Sequence, residues 1–173
     1  MIEKQIKSRS RVTDHGEVFT SEREVCDMLN LVKHETERID SRFLEPACGD
    51  GNFLAEILRR KLKVVHARYR KSPYDYEIQS LIALGSIYGV ELLPDNAEDC
   101  RKRLFDIWNT EYTKACKKEA CDDCRASARF ILDQNIVCGD ALTMKTSDGR
   151  EPIMFSEWSL FGTLIKRSEH RFD

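Results

Sequence analysis

The sequence predicts an α/β fold, with a parallel sheet and helices packed on its faces. Three stretches point to it: "RFLEPACGDGNFLAEIL", "SIYGVELLPDNAEDC" and "NIVCGDAL". Each is a short apolar run that closes on a carboxylate, at Glu45, Glu91 and Asp140, and then enters a turn. Strand-to-turn units separated by helical patterns are the signature of parallel strands joined by crossover helices.

Taken in order, the elements follow from spacing. From Thr20 the stretch "TSEREVCDMLNLV" places Ser21 three residues before Glu24, a capping-box pattern, followed by Val25, Met28, Leu29 and Val32 at helical spacing. A helix is therefore expected to start near residue 21. "RFLEPA" reads as a short buried strand stopped by Pro46. Beyond the glycines, Phe53, Leu54, Ile57, Leu58 and Leu62 form one helical stripe. "YEIQSLIAL" repeats that helical pattern before "SIYGVEL", a β-rich run. "PDNAEDCRKRLFDIW" then resumes helical spacing, with Pro94 suited to a first turn. A long charged helical region leads to "NIVCGDAL", and "TSDGR" is a turn.

Composition limits the alternatives. With 173 residues, 41% of them hydrophobic and 34% charged, the chain can bury one sizeable core, so a single domain over residues 1–173 is expected. No apolar stretch is long enough to cross a bilayer, and "MIEKQIKSRSRV" is too charged for a secretory signal, so no membrane partner and a soluble, cytoplasmic protein are expected. Seven cysteines, an odd number scattered through ordinary segments, fit reduced thiols. A net charge of −2 gives no global pull on nucleic acid. The basic clusters at Lys4, Lys7, Arg9 and Arg11 and at Lys166, Arg167 and Arg171 read as solvated ends.

The turn after Glu45 carries the chemistry. In open parallel sheets ligands sit beyond the carboxyl ends of the strands, and Gly49 and Gly51 lie at such a turn. Glycines let the backbone approach a ligand, and the next helix presents unpaired N–H groups. The dinucleotide fingerprint needs a third glycine where this chain has Leu54, which argues against a nicotinamide or flavin pyrophosphate. Three acids at one sheet edge suit instead a ligand with a cationic amine, ribose hydroxyls and an exocyclic amino group, all donors to carboxylates. S-adenosylmethionine carries all three.

As an ordered set these segments resemble the adenine-specific DNA methyltransferases of restriction-modification systems, in the group of type I modification subunits and fused restriction-modification enzymes. The resemblance covers residues 11 to 144. "HGEVFTSEREVCDML" is similar to that family's first motif, "FLEPACGDGNFL" to its glycine motif, "YGVELLPDNAEDCRKRL" to its ribose-binding acid motif and "NIVCGDAL" to its adenine-binding motif. It implies a Rossmann-like three-layer sandwich, cut short here after the third or fourth strand, and binding of S-adenosylmethionine. It further implies that Phe19 and Thr20 line the methionine end of the cofactor and that Glu45 binds its amino group. Pro46, Ala47, Cys48, Gly49, Asp50, Gly51, Asn52 and Phe53 would wrap the ligand. Glu91 would hold the ribose hydroxyls with Leu92 on the adenine ring, and Asp140 would accept from the adenine amino group beside Ala141.

Two departures stand out. Ser21 replaces a usual proline, a mild change because serine is a strong N-cap. More consequentially, the family's catalytic motif, Asn or Asp followed by Pro-Pro and an aromatic, has no counterpart, because the chain contains no Pro-Pro pair. "PIMFSEWSLFG" offers Trp158 to stack a base and Glu157 to accept from an amino group, but a strand or hairpin carrying Trp158 into the core is the ordinary expectation. No catalytic residue is therefore assigned. The chain is expected to reach DNA through a second polypeptide or a further region holding that motif. The alternatives are a non-catalytic cofactor-binding or regulatory module, and a methyltransferase acting on RNA, protein or a small molecule. Cys116, Cys121 and Cys124 lack a fourth zinc ligand nearby and are expected on a charged helix with no metal. The four histidines, His15, His34, His66 and His170, are dispersed.

Overall fold

A computed structural model describes residues 7–15, 18 and 20–171. Helix α1 (Arg9–His15) precedes α2 (Glu22–Asn30) and the short α3 (Lys33–Thr36). The expected capping box is formed: the Ser21 hydroxyl accepts the Glu24 N–H, and the Glu24 carboxylate accepts the Ser21 N–H at 3.2 Å. Strand β1 (Phe43–Glu45) leads through the glycine turn to α4 (Asn52–Tyr69). Then come α5 (Pro73–Gly85), β2 (Ile87–Glu91), α6 (Pro94–Cys116), α7 (Asp122–Asn135) and β3 (Ile136–Asp140). Proline stands at the start of both α5 and α6, where its missing N–H is harmless.

Strands β1, β2 and β3 are parallel, in spatial order β1-β2-β3, and a two-residue antiparallel strand β4 (Lys145–Thr146) borders β3. The register pairs Glu45 with Gly89 and Glu91 with Cys138, which brings the carboxyl ends of the three strands to one edge. Side chains alternate across the sheet. Ile87 and Ile136 join a core built with Leu54, Leu58, Leu62, Leu104 and Trp108 from the helices, all of them buried. Tyr88 and Val90 point the other way and meet Ile153 and Phe155.

That second face departs from the expected three layers. Among the described residues it is covered by an antiparallel hairpin, β5 (Met154–Phe161) and β6 (Leu164–Arg171), rather than by helices. Trp158 enters the core as expected. Its indole N–H donates to Asn135 Oδ1 at 2.9 Å and its ring packs on Phe130, with Gly85 leaving room for it. Glu157 is occupied by Arg42 at 3.2 Å and His170 at 3.1 Å, so neither Trp158 nor Glu157 faces the turn beyond β1.

Two other readings are corrected. The charged stretch before β3 is two helices, because α6 ends at Cys116 with a 3-10 turn over Lys117–Glu119. Of the N-terminal basic cluster, Lys4 lies outside the described residues, and two of the others are not simply solvated: Lys7 pairs with Asp99 at 2.6 Å and Arg11 with Asp95 at 2.6 Å on the first turns of α6. No helix among the described residues is long and apolar enough to cross a membrane.

Candidate functional site

The carboxyl ends of β1, β2 and β3 enclose one cavity of about 550 Å³. That volume is within the usual range for small-molecule sites. Thr20, Glu45, Pro46, Ala47, Cys48, Gly49, Asp50, Asn52, Phe53, Glu91, Leu92, Asp140 and Ala141 all line it. Phe19 lies outside the described residues. Gly51 does not line the cavity. It is the N-cap of α4 at φ 88°, and a Cβ there would sit 2.7 Å from Cys100 Sγ. Its positive φ lets α4 start in a left-handed conformation close against α6.

Local forces build the turn. Gly49 adopts φ 54°, and its N–H donates to Glu91 Oε2 at 2.9 Å. Cys48 N–H donates to the Val90 carbonyl at 3.0 Å, stitching the turn to β2. Glu91 is buried. Its Oε1 accepts from the Leu93 N–H at 3.0 Å and from Asn96 Nδ2 at 3.4 Å, so it also caps the entry to α6. A carboxylate has about four lone-pair sites, so one acceptor position on Glu91 stays open to a ligand.

The other acids differ in environment. Burial raises the pKa of Glu45, with the Ala47 backbone acting against it. Burial likewise raises that of Asp50, opposed mainly by Arg103, whose Nη1 lies 3.4 Å from Asp50 Oδ1. Asp140 is held below the ordinary carboxylate range by the Leu142 N–H at 2.8 Å and the Thr143 hydroxyl at 3.0 Å. Glu45 alone of the three strand-end acids is half-buried without a cationic partner contributing to its shift.

Five further lining residues, Val18, Leu93, Asn96, Gly139 and Leu142, lie within the quoted motifs without having been assigned to the ligand. Asn52 is better placed than a turn residue need be. Its Nδ2 donates to the Thr20 carbonyl at 2.9 Å, and Arg103 Nη1 donates to its Oδ1 at 2.5 Å. The Arg103-Asn52 pair thereby ties the segment before α2 to the cavity wall. Exposed apolar side chains, Val18, Leu92 and Leu142, surround the opening and could cover a flat ring. The arrangement can therefore take a ligand that donates several hydrogen bonds, carries positive charge near Glu45 and presents an aromatic face.

Comparison with known proteins found one curated relative. The chain is 24% identical over 142 residues to DNA methyltransferase A of Bacillus subtilis (strain 168), a match that covers 76% of this chain and 16% of that protein. The chain thus matches about a sixth of the relative's length. No family model matches, and no solved structure matches.

Proposed function

We propose that this chain is the S-adenosylmethionine-binding part of a DNA adenine methyltransferase. The observation that carries the reading is the convergence of Glu45, Glu91 and Asp140 on one cavity beside the glycine turn. A sulfonium nucleoside supplies a donor for each acid: its amino group for Glu45, its ribose hydroxyls for Glu91, its adenine amino group for Asp140. Leu92 and Ala141 would flank the adenine ring. The similarity to a DNA methyltransferase supports both the cofactor class and DNA as the substrate; adenine as the target base rests on the motif resemblance.

The cofactor brings the reactive methyl group, so the work of the protein is binding and alignment. The chain's own residues would anchor the amino-acid end at Glu45, fix the ribose through Glu91 and keep water from one side of the ligand with Pro46, Phe53 and Leu92. We assign no catalytic residue, because no Pro-Pro pair is present and Glu157 and Trp158 are engaged elsewhere. A second polypeptide or a further region would hold the target base.

Titration calorimetry tests the reading. S-adenosylmethionine and S-adenosylhomocysteine should bind one per chain, NADH should not, and Asp140→Ala should weaken both ligands. Absence of binding to folded protein, or equal binding of NADH, would defeat it. Radiolabelled methyl transfer to unmethylated DNA, with and without candidate partner polypeptides, then separates a catalytic component from a binding module.

A further inference from the structure

The cysteines near the junction of α6 and α7 lie about 30 Å along α6 from the cavity, given a rise of 1.5 Å per residue. Because α6 stops at Cys116, Cys121 and Cys124 are placed differently from residues on one continuous helix. Cys121 is the N-cap of α7 in extended conformation, φ −121° and ψ 161°, and is exposed. Cys124 follows one turn later and is buried. Cys121 Sγ lies 3.9 Å from the Tyr112 oxygen, and Tyr112, Glu77 and Cys121 all act on the titration of the buried Cys124 thiol. Tyr112 is a fixed point: its ring stacks on Trp108 at 4.7 Å, its hydroxyl donates to Glu77, and the Cys121 N–H donates to its oxygen at 3.0 Å. Glu77 Oε1 also lies 3.9 Å from Cys121 Sγ, an acceptor for the thiol proton.

We propose that Cys121 and Cys124 are a redox-active dithiol that closes to an intramolecular disulfide by exchange with a small-molecule disulfide such as oxidised glutathione. Accessible Cys121 is the attacking group. It releases its proton towards Glu77, and the thiolate attacks one sulfur of the glutathione disulfide. That S–S bond breaks, and the departing glutathione thiolate takes up a proton. Cys124 then loses its proton and attacks Cys121 Sγ, and the second glutathione leaves as a thiol. Two cysteine thiols are oxidised, and one glutathione disulfide is reduced to two thiols. The order follows from access and from acidity, since burial pushes the Cys124 thiol up to about 12 and leaves it a poor first nucleophile.

Geometry permits closure. Residues one helical turn apart have Cβ atoms about 5–6 Å apart, and a disulfide needs about 3.5–4.5 Å. The remaining approach falls on Cys121, whose extended N-cap backbone lies outside the helical ladder. Cys116 is the competing partner, but it is buried and its thiol donates to the Pro73 carbonyl at 3.7 Å.

The test uses the full chain in glutathione buffers of graded ratio, quenched with acid, alkylated and digested with trypsin. Both cysteines fall in the tryptic peptide 119–125. In oxidising buffer that peptide should escape alkylation and appear two hydrogens lighter, reverting on reduction. Cys124→Ser should trap glutathione on Cys121. Complete alkylation of the wild-type peptide at every ratio, a Cys121–Cys116 crosslink, or a Cys124→Ser chain free of adduct while remaining folded would each overturn the proposal.

Discussion

The backbone N–H of Gly49 points at Glu91 Oε2, 2.9 Å away, so the acid at the end of β2 holds the turn at the end of β1. One side chain thereby shapes the cavity floor and keeps a lone pair for a ligand. Glu91→Gln would turn an amide NH₂ towards either the Gly49 or the Leu93 N–H, donor against donor. Losing a buried charge-assisted hydrogen bond costs about 1.5–3 kcal/mol. At a chain of this size that is a drop of about 5 °C in the thermal midpoint. The expected outcome is this drop by calorimetry, together with a loss of roughly tenfold or more in S-adenosylmethionine affinity.

Glu45 gives a prediction with opposite signs for stability and binding. Its folded-state pKa is raised by burial, so its stability contribution is present below the ordinary glutamate range and lost as pH rises through the raised value. At neutral pH the empty site therefore carries an unfavourable buried charge. Glu45→Gln should raise the thermal midpoint at pH 7, with the difference vanishing in acid. The same variant should weaken S-adenosylmethionine by roughly tenfold or more, because the charge-assisted hydrogen bond to its amino group is lost. In the wild type, affinity should start to fall on acidification above the ordinary carboxylate range, and calorimetric titrations across pH should show the dependence flattened in Glu45→Gln.

The strand ends were legible because each carries its own local signal, an apolar run that closes on an acid with Gly or Pro close by, and helical spacing follows the first two. The cavity was legible for the same reason, as parallel strands must end on one edge. The role of Gly51 was not, because a glycine that approaches a ligand and one that approaches Cys100 on α6 look the same until the helices are packed. The hairpin on the second face gave a weak signal in Gly162 and Thr163, a two-residue connection with glycine at φ 62°. The pairing of Lys7 and Arg11 with Asp95 and Asp99 spans more than eighty residues, and no local pattern encodes it.

Gly51 now predicts a stability defect rather than a pure binding defect. Alanine there meets Cys100 Sγ at 2.7 Å and must hold φ 88°. Overpacking and left-handed strain together amount to about 2–4 kcal/mol. Cys100→Ala should recover part of this in the double variant, by removing the sulfur while leaving the backbone strain. A urea double-mutant cycle should yield a favourable coupling, whereas strictly additive losses would mean the two residues do not meet.

Lys61 controls the loop that delivers β1. It is fully buried, and its Nζ donates to the carbonyls of Arg38 at 2.8 Å, Ile39 at 3.0 Å and Ser41 at 2.6 Å while lying 5.3 Å from the Phe43 ring centroid. An ammonium has three N–H donors, and here each has a carbonyl. Lys61→Met keeps the aliphatic stem but removes all three donors; the Ile39 carbonyl keeps the Ser86 hydroxyl at 3.1 Å, whereas the buried Ser41 carbonyl loses its Lys61 donor, at a cost of about 1–3 kcal/mol, read as a lowered urea midpoint. Burial also pushes the Lys61 ammonium down to about 7 from an ordinary 10.5. A depressed folded-state value means that its contribution is complete above the ordinary value and lost as pH falls through about 7. Wild-type stability should therefore gain on that of Lys61→Met as pH rises from 7 to 10.5. Because Lys61 fixes the residues leading into Phe43 and Glu45, the variant should also bind S-adenosylmethionine less tightly at neutral pH even where it remains folded.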